Sequence, residues 1–315
     1  MDQLLFSLNS TVPIFLVMVI GYFLRQIGMV DEAFIKTLNK FNFNVTLPFL
    51  VFRDLSGSDF YSMWDTSYVL YCFLVTLFSI FAIWILAGLF FKDKDCLGEF
   101  VQASYRSSAA VLGIAFIQNI YGTSGMSPLM IIGTVPLYNI AAVLILSFTG
   151  PGNHKLDRTS FLHSVKGILR NPILIGIFLG VLASVLRLDF PIMVDKTINY
   201  IAVLASPLAL LGLGAGFEGK KAIKKLCPTA VASAIKLFIL PALFLPLAIA
   251  FGFTTEKLVA ILVMLGSPTT ASCYIMAKNM GHEGVLTSST VVATTFLSSI
   301  FLTLWLFILR SLQLI

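Results

Sequence analysis

Ten apolar stretches, each near the roughly 20 residues that cross a bilayer as a helix, follow one another along the chain. They run Leu4–Leu24, Ala33–Phe52, Trp64–Phe91, Phe100–Tyr121, Pro128–Phe148, Ile168–Leu188, Ile198–Phe217, Thr229–Phe253, Leu258–Met280 and Val285–Leu309. Polar connections between them are short, so the pattern predicts ten transmembrane helices and no separate soluble domain. The ninth stretch is punctuated unlike the others, by GSPTTASCYIMAKNMG at Gly266–Gly281. Pro268 removes a backbone donor and clashes with the preceding turn. Ser267 followed by Pro268 has the form of an N-cap and first helical residue. A helix start is therefore expected midway through the span, where its free N–H groups and positive dipole end suit an anion. The alternative is an ordinary proline kink, common in membrane helices.

Composition agrees with the pattern. The chain has 315 residues, 58% hydrophobic and 11% charged, with a mean hydropathy of +0.94. Soluble domains carry about 25% charged residues. The net charge of +6 does not indicate nucleic acid, because the basic residues are distributed over the connections. With the N-terminus placed outside, fourteen of the 21 Lys and Arg fall on the inner side and five on the outer. That bias places both termini outside a cell membrane. The remaining two, Arg106 and Lys236, lie within spans. Each either serves function or snorkels to the headgroups. Arg25-Gln26 stand where a signal peptide would have small residues, so the first stretch is read as a span. The four cysteines show neither metal nor disulfide spacing. His154, His163 and His282 are expected in solvated loops.

The punctuation repeats. Pro13 and Pro172 are 159 residues apart, and the same shift carries Gly21 to Gly180, Pro48 to Pro207, Ser108 to Ser267 and Gly122 to Gly281. Five spans per half would insert the second half upside down, an inverted repeat of the kind used by secondary transporters. The halves are residues 1–150 and 168–315, with a cytoplasmic linker at 151–167. The repeat pairs the ninth-span break with Arg106–Gly122, where Ser107 and Ser108 could cap a helix and Gly113 is a weak point.

Intramembrane chemistry narrows the function. All Asp and Glu lie in connections or at span ends, which weighs against a cation exchanger built on mid-span carboxylates. Arg106, Lys236 and the helix ends favour an anion. Asn42, Asn44 and Thr46, Tyr138 and Asn139, and Thr269, Thr270 and Ser272 supply polar groups; interhelical hydrogen bonding is the alternative for each. The GAGFEG run at Gly214–Gly219 lacks the strand–turn–helix setting of a nucleotide site. Gly176/Gly180 and Gly212/Gly216 have the spacing of close helix crossings. Neither a carboxylate pair, a metal cluster nor a nucleophile–base pair stands out, so the chain is not expected to be an enzyme or to need a cofactor.

Several segments resemble the auxin efflux carrier family, whose bacterial members include malate and malonate permeases. They are PIFLVMVIGYFLRQIGMVDEAFIKTLNKFNFNVTLPFLVF (Pro13–Phe52), YRSSAAVLGIAF, VPLYNIAAVLIL, NPILIGIFLG, SPLALLGLGAGF and SPTTASCYIMA. The family commonly has Asn near Ser108 and Pro near Ala115, and this chain has neither. The resemblance implies an all-α fold of ten spans in a 5+5 inverted repeat with crossing broken helices, similar to sodium/proton antiporters. Spans one, two, six and seven would form a scaffold and homodimer surface; the others would move as an elevator. The expected function is secondary transport of a small organic anion by alternating access, with H+ or Na+ as possible coupling ion. The expected binding residues are Arg106, Ser107, Ser108, Gly113, Tyr138, Asn139, Ser267, Pro268, Thr269, Thr270 and Ser272, with Lys236, Asn42 and Asn44 as charge or coupling groups. A coupled transporter of another solute and a non-transporting membrane sensor remain as rivals.

Overall fold

The computed structural model describes residues 2–57, 65–91, 93–109, 117, 120–121, 126–150 and 171–315, and among these it is helical, without strands. The linker at 151–167, with His154 and His163, and Gly113 lie outside the described residues.

Helix α1 spans Asp2–Gln26. Helices α2 (Glu32–Phe41) and α3 (Leu47–Ser56) are joined end to end by a π-turn at Asn42–Thr46. Then come α4 (Thr66–Phe90), α5 (Leu97–Tyr105), α6 (Ser127–Phe148) and α7 (Pro172–Val185). Helices α8 (Ile192–Ala202) and α9 (Ala205–Ala215) meet at a slight break. The short α10 (Gly219–Lys224) leads into α11 (Leu226–Ala234), a second π-turn at Ile235–Ile239, and α12 (Leu240–Ala250). Helices α13 (Thr255–Gly266), α14 (Ser272–Asn279) and α15 (Val285–Ser311) complete the described chain.

Among the described residues five helices are long and apolar enough to cross a membrane: Thr66–Phe90, Leu129–Phe148, Ile192–Ala215, Leu226–Ala250 and Val285–Ser311. The other five apolar stretches fall on α1, α2–α3, α5, α7 and α13–α14, which are shorter, interrupted or only partly described. The protein is a multi-pass membrane protein. Exposed Phe78, Leu89 and Phe178 stud its outer faces, as a lipid-facing surface requires.

The buried apolar residues form two main clusters. One draws on α4, α5, α6, α11, α12, α13 and α15, from Tyr68 and Val75 to Leu258–Leu265 and Trp305. Helix α13 is its axis: Leu258 through Leu265 are buried on every face, the mark of a helix wholly surrounded by protein. The second joins α1, α3, α7 and α9 through Met18, Leu47, Val51, Ile177 and Leu213, with parts of α6, α14 and α15. Glycine sets its spacing. A methyl group on Gly176 or Gly180 would fall 2.6 and 2.9 Å from the carbonyl oxygens of Pro48 and Phe52, and one on Gly214 would overlap that of Met18. Those approaches bring α7 onto α3 and α9 onto α1 at backbone contact. Gly176 and Gly180 thus serve a close helix crossing, whereas Gly212 and Gly216 meet the side chains of Asn39 and Tyr274, and the approach to α1 falls on Gly214.

Polar groups tie the ends. Asp65 caps α4 by accepting from the Tyr68 N–H and pairs with Lys257 near the start of α13. Lys225 pairs with Asp93, and each holds the other in its charged form. Glu99, expected in a loop or at a span end, is fully buried on the first turn of α5. It accepts from the Gly284 N–H at 2.7 Å, the Thr287 N–H at 3.0 Å and the Thr287 hydroxyl at 2.9 Å. A carboxylate from one helix thus caps the start of α15. His282 is not solvated as expected: it is 4% exposed, with Nε2 3.0 Å from the Leu146 carbonyl oxygen. The missing Cβ of Gly98 leaves room for the Thr149 hydroxyl, with the His282 ring packed beside it.

Candidate functional site at the crossing of two interrupted helices

Helix α5 stops at Tyr105, and Arg106 adopts an extended conformation at φ −68°, ψ 140°. Helix α13 stops at Gly266, and Ser267 is likewise extended at φ −73°, ψ 157°. The proline explains the second stop, since it excludes the helical conformation from the residue before it. The first stop has no proline. There the Ser107 hydroxyl turns to the other break, toward Val263 O and Ser267 Oγ, and the Arg106 N–H makes the final helical bond, to Gln102 O. Ser267 is therefore not the N-cap of a new helix. It ends the old one, and the helix resumes only at Ser272, with Ala271 at the N-cap position.

The two extended segments meet. The Ser108 N–H donates to the Pro268 carbonyl oxygen at 2.9 Å, a strand-like bond between the breaks. The Ser107 and Ser267 hydroxyls bond each other. Thr269 donates its hydroxyl to Ala103 O at 2.7 Å and its N–H to Thr294 Oγ1 at 3.0 Å. Gln102 Nε2 reaches Cys273 O at 3.0 Å. Groups that interrupted helices leave unpaired inside a membrane are thereby satisfied within the protein.

Neither intramembrane cation snorkels. Arg106 is 3% exposed and Lys236 is fully buried. One Arg106 amino group donates to Asn139 Oδ1 at 2.8 Å and Ser272 Oγ at 3.1 Å, and the other contacts Met276 Sδ. Asn139 is oriented for this role by its own Nδ2, which donates to Val135 O at 2.9 Å. Arg106 Nε has no partner among the described residues, and neither cation pairs with a carboxylate among them. Lys236 points elsewhere, donating to Leu265 O and, at 3.2 Å, to Met264 O at the end of α13.

A cavity of about 630 Å³ opens beside the crossing. One wall is the crossing itself, with Arg106, Ser107, Ser108 and Pro268 through Ser272, flanked by Tyr138 and Asn139 of α6. The facing wall is apolar, from Leu47, Leu50 and Val51 of α3 to Ile173 of α7 and Leu210 of α9. The cavity thus lies between the two buried clusters. Arg53 and Asp54 line it at the end of α3, where Arg53 is held by Asp54 at 2.7 Å and by Asn199 Oδ1 at 3.1 Å. Of the expected site residues, Arg106, Ser107, Ser108, Tyr138, Asn139, Pro268, Thr269, Thr270 and Ser272 line one space. Ser267 lies behind it, bonded to Ser107. Lys236 lies beyond α13. Asn42 is buried in its π-turn, donating to Ala205 O at 3.1 Å, and Asn44 is exposed, donating to Lys40 O. Neither lines the cavity. Arg53, Asp54 and Met276 were missed, although an Arg-Asp pair closing an apolar stretch was a visible signal. Among the described residues no group of three or more His, Cys, Asp or Glu is placed to hold a metal.

The family model for "Membrane transport protein" matches residues 6–306. The chain belongs to that family, the auxin efflux carriers. Among curated relatives, an uncharacterized transporter of Methanothermobacter thermautotrophicus is 21% identical over 303 residues, covering 95% of this chain and 97% of that protein. A protein of Rhizobium meliloti provisionally named a malonate transporter is 23% identical over 308 residues, covering 95% and 94%. The carrier's function is thus membrane transport, and its family and relatives are transporters, which are not enzymes.

Proposed function

We propose that this carrier moves a small organic anion, a carboxylate such as malonate, malate or an auxin-like acid, across the cell membrane by alternating access. The observation that carries the proposal is Arg106: a buried guanidinium on the cavity wall, with Nε–H unpartnered and no carboxylate pairing with it among the described residues. A buried cation without a counter-charge is costly, and an incoming carboxylate would supply one. The N-terminus of α14, whose Ser272 hydroxyl already meets Arg106, adds a positive dipole end to the same wall. The name of the Rhizobium meliloti relative favours dicarboxylates among the probes.

The 5+5 inverted repeat is supported by the helix ends. A shift of 159 residues sets α4 on α11–α12, α5 on α13, the Arg106 stop near the Ser267 stop, and α6 on α15, each within a few residues. It also lays the Asn42–Thr46 π-turn on the α8–α9 break. The division of buried residues into two clusters, with the cavity between them, favours a scaffold of α1, α3, α7 and α9 and a moving unit built on the crossing. With the N-terminus outside, Arg53 and Asp54 stand at the outer end of the cavity. A homodimer through the scaffold helices completes the proposal.

Proteoliposomes preloaded with unlabelled malonate, malate or indole-3-acetate test it by counterflow of the labelled compound. Saturable exchange of at least one is expected. No exchange of any of the three, from protein that remains folded, would overturn it.

A further inference from the structure

The four last carbonyls of an α-helix have no partner within it and carry its negative dipole end. Inside a membrane they need one. At the end of α13 the Val263 carbonyl oxygen accepts from the Ser267 N–H at 3.0 Å and from the Ser107 hydroxyl. The Met264 and Leu265 carbonyl oxygens converge on Lys236 Nζ. Lys236 reaches them from the π-turn at Ile235–Ile239, where Trp305 Nε1 holds the Leu237 carbonyl at 3.1 Å. A π-turn inside a helix rotates the residues that follow and often marks a functional position. In transporters with broken helices, such C-terminal carbonyls are where a coupling cation binds.

We propose that the Met264 and Leu265 carbonyl oxygens form a seat for a small monovalent cation, and that the Lys236 ammonium is its permanent occupant. The helix crossing then needs no sodium ion to neutralise its negative pole. The cation is supplied by the chain, tethered, and cannot be exchanged with either side of the membrane. This division also explains why the two buried cations have opposite settings. Lys236 is engaged by backbone carbonyls at a helix C-terminus, while Arg106 faces the cavity from the other side of the crossing. The inference does not depend on which anion is carried.

The test is thermal unfolding of the purified protein in sodium, choline and methylammonium chloride at equal ionic strength. The wild type is expected to melt at one temperature in sodium and in choline. Lys236→Ala, which leaves room for an ion, is expected to melt several degrees lower in choline and to recover in sodium or methylammonium, whereas choline is too large to enter. Lys236→Met, which fills the space without charge, is expected to melt low in all three salts. A Lys236→Ala variant indifferent to the salt, or a Lys236→Met variant as stable as wild type, would overturn the proposal. So would a sodium-specific rise in the wild type, a comparison that stands even if neither variant folds.

Discussion

Replacing Arg106 with Gln separates binding from stability, because the two should move differently. Gln keeps an amide near Asn139 and Ser272 but removes the charge and the buried, unpartnered Nε–H. A hydrogen bond to a charged group contributes about 1.5–3 kcal/mol. The bare Coulomb attraction at 4 Å, with an effective dielectric of 20, is about 4 kcal/mol. The carboxylate gives up its own hydration on entering, so a net loss near 2 kcal/mol is the appropriate figure, or about 30-fold in affinity. The empty protein should suffer little, since a desolvated cation without a carboxylate partner is itself unfavourable. Arg106→Lys retains charge without the planar fork and should fall between the two. Titration calorimetry with malonate, the probe suggested by a relative's name, measures the affinity, and thermal unfolding of the same samples measures the fold. Equal malonate affinity in wild type and Arg106→Gln, within a factor of two, would refute the assignment of Arg106 to the anion.

Three further expectations concern the frame. Gly176→Ala should destabilise by about 1–3 kcal/mol, because the new methyl meets the Pro48 carbonyl oxygen at 2.6 Å. Gly88→Ala on α4, where nothing lies within 4 Å, should instead be neutral or stabilising, and thermal unfolding of the pair would contradict the packing argument if the order reversed. Glu99→Gln sets an amide against the donors of Gly284 and Thr287 at a cost of about 1–3 kcal/mol; an unchanged melting temperature would disprove the cap. Asp65 is held below the usual carboxylate range first by the Lys257 hydrogen bond and then by the Tyr68 N–H. Its contribution is therefore full above the unfolded value of about 3.9 and lost as pH falls through the lower folded value. Asp65→Ala should cost about 1 kcal/mol near neutral pH and make the acid limb of the stability curve shallower. Melting curves between pH 3 and 7 that superimpose, variant on wild type, would exclude this.

How far the sequence foretold this arrangement depends on what each element rests on. The ninth-span break was legible because proline acts locally, on itself and on the residue before it. Where the helix resumed was not, because Ser-Pro has the same letters whether Ser begins a helix or ends one. The choice was made by Ser107, Ser108 and Thr294, which are far away in the chain. The fourth-span break carries no such mark and could be suspected only through the 159-residue shift. Buried polar groups were the hardest to see. Glu99 and His282 stand beside charged, loop-like neighbours, and Lys236 looks like any snorkelling lysine until the ends of α13 are placed beside it. Nine of the expected site residues line the cavity because polar side chains deep in apolar stretches have few other places to go. Asn42 and Asn44 show the exception, where main-chain carbonyls receive the amides, that of Ala205 on α9 for Asn42 and that of Lys40 in its own helix for Asn44.

The bond from the Ser108 amide to the Pro268 oxygen joins main chain to main chain, so exchange of side chains lining the chamber leaves its acceptor in place. A lineage can thus retool its cargo preference, residue by residue, around a knot that stays tied. Whatever displaces one strand of that knot also tugs the other, and the two interrupted helices would travel as a single piece of gear.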